Sequence, residues 1–169
     1  MLRLGWSVLV RVLDASGNAV ADAVVWIFCG REYGNRTRTS ANGAARFDNL
    51  PPLTFSLSAS TPAGEFAFAR GVGVTAGSAS REVELRLTPA PRLRVEVQHG
   101  PETRMQAMIF LEGGPIALMF LEESPVTALA PGEYEVALWG EEEEEVQRQR
   151  VRVAAEGETR VVFDLSAPR

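Results

Sequence analysis

Lysine is missing from this 169-residue chain, and all 17 of its basic residues are arginines. Without lysine there is no Schiff-base amine, no phosphate-loop lysine and no lysine–asparagine isopeptide cross-link. Cysteine occurs once, at Cys29, so no internal disulfide can staple the fold. Histidine also occurs once, at His99, just ahead of Gly100-Pro101 where a strand should end. A lone imidazole needs an oriented nucleophile or further ligands to do chemistry, and the sequence nominates neither. CxxC, HExxH, a nucleophile elbow and a phosphate loop are all absent. No apolar run approaches the length of a membrane span, so membrane insertion is not expected.

What remains is ordinary for a globular chain, with 46% hydrophobic and 23% charged residues. The net charge of -5 argues against nucleic acid, which rewards clustered basic surface. "MLRLGWSVLVRVLD" alternates and meets Arg11 and Asp14 before any small-residue cleavage site, unlike a secretory leader. The chain as given is therefore expected in the cytoplasm, with the cell surface or secretion as the alternative if a leader has been removed.

Helical periodicity is nearly absent and period-2 alternation dominates. Val8, Val10 and Val12 alternate, "DASGN" follows as a turn, and "AVVWIFC" is a short β-branched and aromatic run. "ARF", "TFSLSAS", "EFAFARGVGV" and "REVELRL" continue as strands separated by Asn, Gly and Pro. After "TPAP" at Thr88–Pro91 similar phrases return. "AMIFLEGG" matches "AVVWIFCG" at a shift of 84, and "LAPGEYEVALW" matches "LPPLTFSLSAS" at a shift of 79. Self-similarity at domain length predicts two tandem domains, 1–88 and 92–169, joined by a proline-containing linker at 89–91.

The stretch from "VLVRVLDASGN" to "SREVELRL" resembles the carboxypeptidase regulatory-like family and its transthyretin-like or collagen-adhesin B-type relatives. The carrying features are Asp14–Gly17, Ala23–Val25, the T-x-A-N-G-x-x-x-F of Thr39–Phe47, and L-P-P before an aromatic strand. The second half keeps L-x-P-G-x-Y-x-V at Leu129–Val136 but loses the Asn-Gly turn. The resemblance implies an all-β chain of two tandem seven-stranded Greek-key β-sandwiches, transthyretin-like or immunoglobulin-like, with little or no helix. It speaks for fold and leaves function open.

The residues offer little to a catalyst or a metal. Cys29 ends an apolar strand with no basic neighbour to activate it. Asp14 sits in a turn that Asx chemistry explains, and no run has calcium-loop spacing. No catalytic residue, cofactor or metal site is expected. Arg31, Tyr33, Arg36 and Arg38 crowd one polar stretch, where arginine forks and a ring could hold a sugar-like or acidic ligand; a solvated loop and edge strand leading into the Asn42-Gly43 turn is the favoured explanation.

Apolar residues give a stronger surface signal. "MIFLEGGPIALMFLEESPV" is apolar on both strand faces, which nominates Met108, Phe110, Met119 and Leu121 as contacts with the sister domain or another chain. Phe66 and Phe68 make the same argument, since their counterparts at a shift of 79 are Glu145 and Gln147. The run Glu141–Glu145 reads as a solvated hairpin tip, or as a contact for a basic partner surface. These patterns predict a non-catalytic structural or interaction protein, an adaptor or subunit that binds protein partners or its own copies through apolar sheet faces or edges. The alternative is a carbohydrate- or peptide-binding module using Arg31–Arg38.

Overall fold

The period-2 segments fold as strands throughout, and no helix occurs among the described residues. The computed structural model describes residues 6–30, 33–74, 80–99, 105–140 and 144–166. The chain divides into two compact units, Met1–Pro89 and Ala90–Arg169.

The first unit contains β1 (Trp6–Leu13), β2 (Val24–Cys29), β3 (Tyr33–Arg38), β4 (Ala44–Leu50), β5 (Thr54–Ser60), β6 (Glu65–Gly73), β7 (Ser80–Arg86) and β8 (Thr88–Pro89). They form a small sheet in the order β4-β1-β7 and a large one in the order β3-β2-β5-β6-β8. The alternation decides what each strand buries: Val8, Val10 and Val12 of β1 meet Val25 and Ile27 of β2 and Leu57 of β5 in one core, with Phe47 and Leu85.

The second unit contains β9 (Arg92–Gln98), β10 (Gln106–Leu111), β11 (Gly114–Phe120), β12 (Val126–Ala128), β13 (Gly132–Trp139), β14 (Glu145–Val153) and β15 (Glu158–Asp164). Its sheets run β12-β9-β15 and β11-β10-β13-β14, the order of strands in the first unit without a counterpart of β8. In both, the first strand pairs in parallel with the last, β1 with β7 and β9 with β15. Both units are all-β sandwiches.

Strand register corrects the sequence alignment at β2. Val25 and Ile27 face Ala59 and Leu57, while Ala107 and Ile109 face Leu138 and Val136. With β5 and β13 related by 79, β2 and β10 are related by 82, two residues from the match seen in sequence. A two-residue slip keeps every side chain on its own face, so the alternation alone could not detect it. Bulges fall at different places too, between Phe55 and Leu57 on one side and between Leu138 and Trp139 on the other. Phe68 therefore stands opposite Ser58 where Arg148 stands opposite Ala137, and the counterpart of Phe68 is Arg148 and not Gln147.

The family-like turn residues each have a physical task. Thr39 is buried, and its Oγ1 accepts the Ala23 N–H at 2.9 Å and donates to Val20 O at 2.7 Å. Asn42 Oδ1 accepts from Ser40 Oγ at 2.6 Å, and Gly43 takes the left-handed conformation with its carbonyl accepting Val12 N–H at 2.9 Å. At the junction, Thr88–Pro89 pairs with Glu65–Phe66, and the Pro91 carbonyl accepts from Leu129 N–H at 3.1 Å. The proline segment is thus hydrogen-bonded into both units, with Ala90 between the two attachments.

Candidate functional site

Each sandwich has two unlike outer faces. On the small sheets, charges of opposite sign pair: Arg11 with Glu82, Arg46 with Asp48 at 2.7 Å and Arg86 with Glu84 at 2.8 Å. In the second unit Arg94 donates two bonds to Glu158, at 2.7 and 3.2 Å, and Arg160 meets Glu96 at 3.0 Å. Such exposed pairs contribute little to stability, and their effect is a wetted surface.

The large sheet of the first unit is built differently on the side away from the core. Cross-strand pairing lines up Arg36, Trp26, Ser58 and Phe68 in one row, and Arg38, Val24, Ser60 and Phe66 in the next. Serines 56, 58 and 60 thus form a hydroxyl stripe between aromatic residues of β2 and β6. Trp26 and Phe28 stack with ring centroids 5.4 Å apart and are 8% and 3% exposed. The Phe28 ring also lies on Gly34, whose Cβ, if present, would come within 3.0 Å of it. Arginines finish both sides: Arg36 over Trp26 at 5.6 Å and Arg70 over Phe68 at 5.4 Å.

The second unit repeats the placement with other residues. Leu118, Met108, Ala137 and Arg148 make one row of the outer face, and Phe120, Gln106 and Trp139 another. Arg148 lies 4.7 Å above the Phe110 ring and bonds Glu135 at 3.0 Å and Glu145 at 2.6 Å. Its pKa is raised, first by the Glu145 hydrogen bonds, and the Arg148 bonds in turn lower that of Glu135. An ion cluster therefore roofs this face where the first unit has serine and phenylalanine.

The nominated residues separate accordingly. Met108 and Leu121 are half-buried, Met108 on the outer face and Leu121 just after β11. Phe110 is on the outer face but 1% exposed beneath Arg148. Met119 is a correction: it pairs with Ala107 on the core-facing side and is 5% exposed, so it belongs to the interior of the sandwich. Phe66 is buried and Phe68 half-buried, both on the serine-striped face. Arg36 and Arg38 lie on strand β3 at the sheet edge, and Arg38 Nη1 donates to Asp22 O at 3.1 Å. Tyr33 begins that strand, opposite Cys29; Arg31 lies outside the described residues. Trp26 and the serine stripe were not nominated from sequence, although "SLSAS" and "VVWIF" carry the signal at period two.

His99 directly follows β9 with φ of 53°, and its Nδ1 is 3.0 Å from Asp164 Oδ1 at the end of parallel β15. Ser166 donates to that same oxygen from both its N–H, at 2.9 Å, and its Oγ, at 2.7 Å. Serine and imidazole thus share one carboxylate, an order unlike a nucleophilic triad, in which the serine bonds the imidazole. These bonds, Ser166 first, lower the Asp164 pKa from 3.8 to about 2. A depressed carboxylate stabilises the fold above its unfolded pKa, and that contribution is lost as pH falls from about 4 through about 2. Acid titration of the denaturation midpoint should therefore be shallower over that window in Asp164→Asn than in the native chain; parallel curves would remove the assignment. Asp14 is likewise depressed, chiefly by the Asn18 side-chain hydrogen bond, and its oxygens are taken by Ser16 and Asn18 of its own turn. Among the described residues no group of three His, Cys, Asp or Glu is arranged to hold a metal ion.

Residues 7–88 match the model of the carboxypeptidase regulatory-like domain. The first unit belongs to that family. The turn chemistry of this regulatory-like domain accounts for the matching residues as scaffold: Asp14, Thr39, Asn42 and Gly43 hold strands in register.

No curated protein matches the sequence. Among solved structures the chain is similar to the Bacillus anthracis TIE protein, at 16% identity and TM-score 0.37, over 95% of this chain and 33% of that one. It is similar to the minor pilin GBS52 of Streptococcus agalactiae at 9% identity and TM-score 0.36, over 97% and 98% of the two chains. A third, from Bacteroides uniformis, is a candidate carbohydrate-binding protein, with 9% identity, TM-score 0.40 and coverage of 88% and 96%. The chain spans a third of the length of the first of these. No helix among the described residues is long and apolar enough to cross a membrane. The cytoplasmic placement expected from the sequence gains no support from the fold.

Proposed function

We propose that this chain is a non-catalytic interaction protein, a tandem β-sandwich adaptor or assembly subunit whose second unit is a diverged copy of the regulatory-like domain. One observation carries the reading. In both units the small sheet wears paired charges, while the large sheet places rings and aliphatic side chains on the face away from its core. A sandwich sheet needs one apolar face to fold, and a second is useful when something covers it. The corresponding order of the seven strands that the two units share supports descent from one module.

Light scattering coupled to size exclusion tests self-assembly, and affinity capture from the native cells with mass spectrometry tests a heterologous partner. A monomer at every concentration that retains no partner would end this reading. Fractionating the same cells would place the protein in the cytosol or at the surface.

A further inference from the structure

β4 is an outer strand of the small sheet in the first unit, hydrogen-bonded on one side to β1. The Val12 N–H that donates to Gly43 O at 2.9 Å sets the parity of that ladder. Residues 43, 45 and 47 turn main-chain groups toward β1, so Ala44, Arg46 and Asp48 turn theirs away. The neighbouring turn uses those of Ala44, its N–H donating to Asn42 Oδ1 at 3.3 Å and its carbonyl accepting Ser40 N–H at 2.9 Å. Among the described residues those of Arg46 and Asp48 meet no further strand. Their side chains lie on the outer face, 60% and 52% exposed, while Phe47 between them packs in the core.

Sheet edges often carry charge of one sign to repel an added strand, and β14 has Arg148, Arg150 and Arg152 at alternate positions. A second β14 laid antiparallel along that stretch would set arginine against arginine. β4 instead places opposite signs two residues apart, Arg46 and Asp48, which bond each other at 2.7 Å. A two-fold axis through Phe47, normal to the sheet, would set each Arg46 against Asp48 of a second copy. An axis at Arg46 or at Asp48 would oppose like charges, so the side chains select one register. In that register the outward main-chain groups of both residues also meet as a hydrogen-bonded pair. We propose that β4 pairs antiparallel with β4 of a second copy, joining two small sheets through an isologous edge in the order β7-β1-β4-β4-β1-β7. β12, the corresponding strand of the second unit, has three residues, and its Val126 carbonyl accepts Ser124 Oγ–H at 3.0 Å, so the pairing belongs to the first unit. This edge is distinct from the apolar faces that carry the assembly reading, which stands or falls without it.

Sedimentation velocity on the full chain over a concentration series tests the pairing. The expected result is a monomer–dimer equilibrium that dissociates on dilution, as so short a contact requires. Arg46→Asp sets aspartate against aspartate, Asp48→Arg sets arginine against arginine, and each should raise the apparent Kd roughly tenfold or more. The doubly exchanged chain, Arg46→Asp with Asp48→Arg, restores opposite signs and should dimerise as the native chain does. An equimolar mixture of the two single variants should dimerise too, because one brings only aspartates to the edge and the other only arginines. That recovery also shows both variants folded. Amides of Arg46 and Asp48 should gain hydrogen-exchange protection as concentration rises, while those of Ala45 and Phe47, already bonded to β1, stay unchanged. A native chain that stays monomeric overturns the proposal, and if it still captures a partner the assembly reading stands. Single variants that dimerise as tightly as the native chain overturn it as well, and so does a mixture of them that fails to recover.

Discussion

Replacing Gly43 by alanine should cost the first unit about 3 kcal/mol, the sum of left-handed backbone strain and a main-chain clash. Gly43 has φ of +72°, and a Cβ there would lie 2.7 Å from the Val12 carbonyl oxygen and 3.0 Å from Ala19 Cβ. Neither neighbour can give way easily. Val12 C=O accepts from Val20 N–H at 3.0 Å and Val12 N–H donates to Gly43 O at 2.9 Å, so the collision falls on backbone fixed by hydrogen bonds. For a unit of this size the unfolding midpoint should drop by roughly 12–24 °C. Gly71→Ala is the control. Its φ is also positive, at +67°, but a Cβ there would meet nothing within 4 Å, so it should lose only about 1 kcal/mol. Equal losses in the two variants, read by calorimetry or denaturant titration, would mean that the close approach to Val12 contributes nothing.

The strands and their faces were legible because burial follows alternation: Val8, Val10 and Val12 face the core as their spacing demands. The repeat was legible as similarity of segments, while its register at β2 was not. Moving a strand by two residues leaves its face pattern intact, and only the partners of Ala107 and Ile109 distinguish a shift of 82 from one of 84. The same ambiguity misassigned Met119. A strand apolar at every position gives no parity, and its pairing with Ala107 decides that it points inward. The candidate surface was half visible. Phe66 and Phe68 stood out against polar counterparts, but the serine stripe did not, since serine is common at loops and edges and needs the Trp26–Ser58–Phe68 row to acquire meaning. Of the acidic run, Glu141–Glu143 lies outside the described residues, and Glu144 and Glu145 bound the turn that sequence placed there.

Division of labour between the two outer faces explains why the ion cluster of the second unit matters. Phe110 occupies the place of Phe28, two rows of the same scaffold, yet one ring stacks on tryptophan and the other lies under a guanidinium. Glu135 and Arg148 replace Ser56 and Phe68, so charge closes in one copy the surface that hydroxyls and rings line in the other. The two sandwiches thereby present different outer faces on corresponding strands.

Thr39→Val should be the second large effect, a loss of about 2–3 kcal/mol with shape almost unchanged. Valine keeps the volume and β-branching but deletes an oxygen that satisfies one buried and one part-buried main-chain group, the Ala23 N–H at 2.9 Å and the Val20 carbonyl at 2.7 Å. Thr39 is 3% exposed, so water has little room to replace it. A buried donor or acceptor left without a partner costs about 1–3 kcal/mol, well beyond the net worth of an ordinary hydrogen bond. Thr39→Ser keeps the hydroxyl and loses one methyl, so it should cost about 1 kcal/mol. The comparison separates hydrogen bonding from packing: equal losses in valine and serine variants would assign the residue to packing. Thr39 also directly follows β3, with its own N–H donating to Ala23 O at 3.0 Å. Loosening it frees the strand that carries Arg36 and Arg38 before the core gives way, so hydrogen exchange in the valine variant should rise at Asn35–Arg38 ahead of β5.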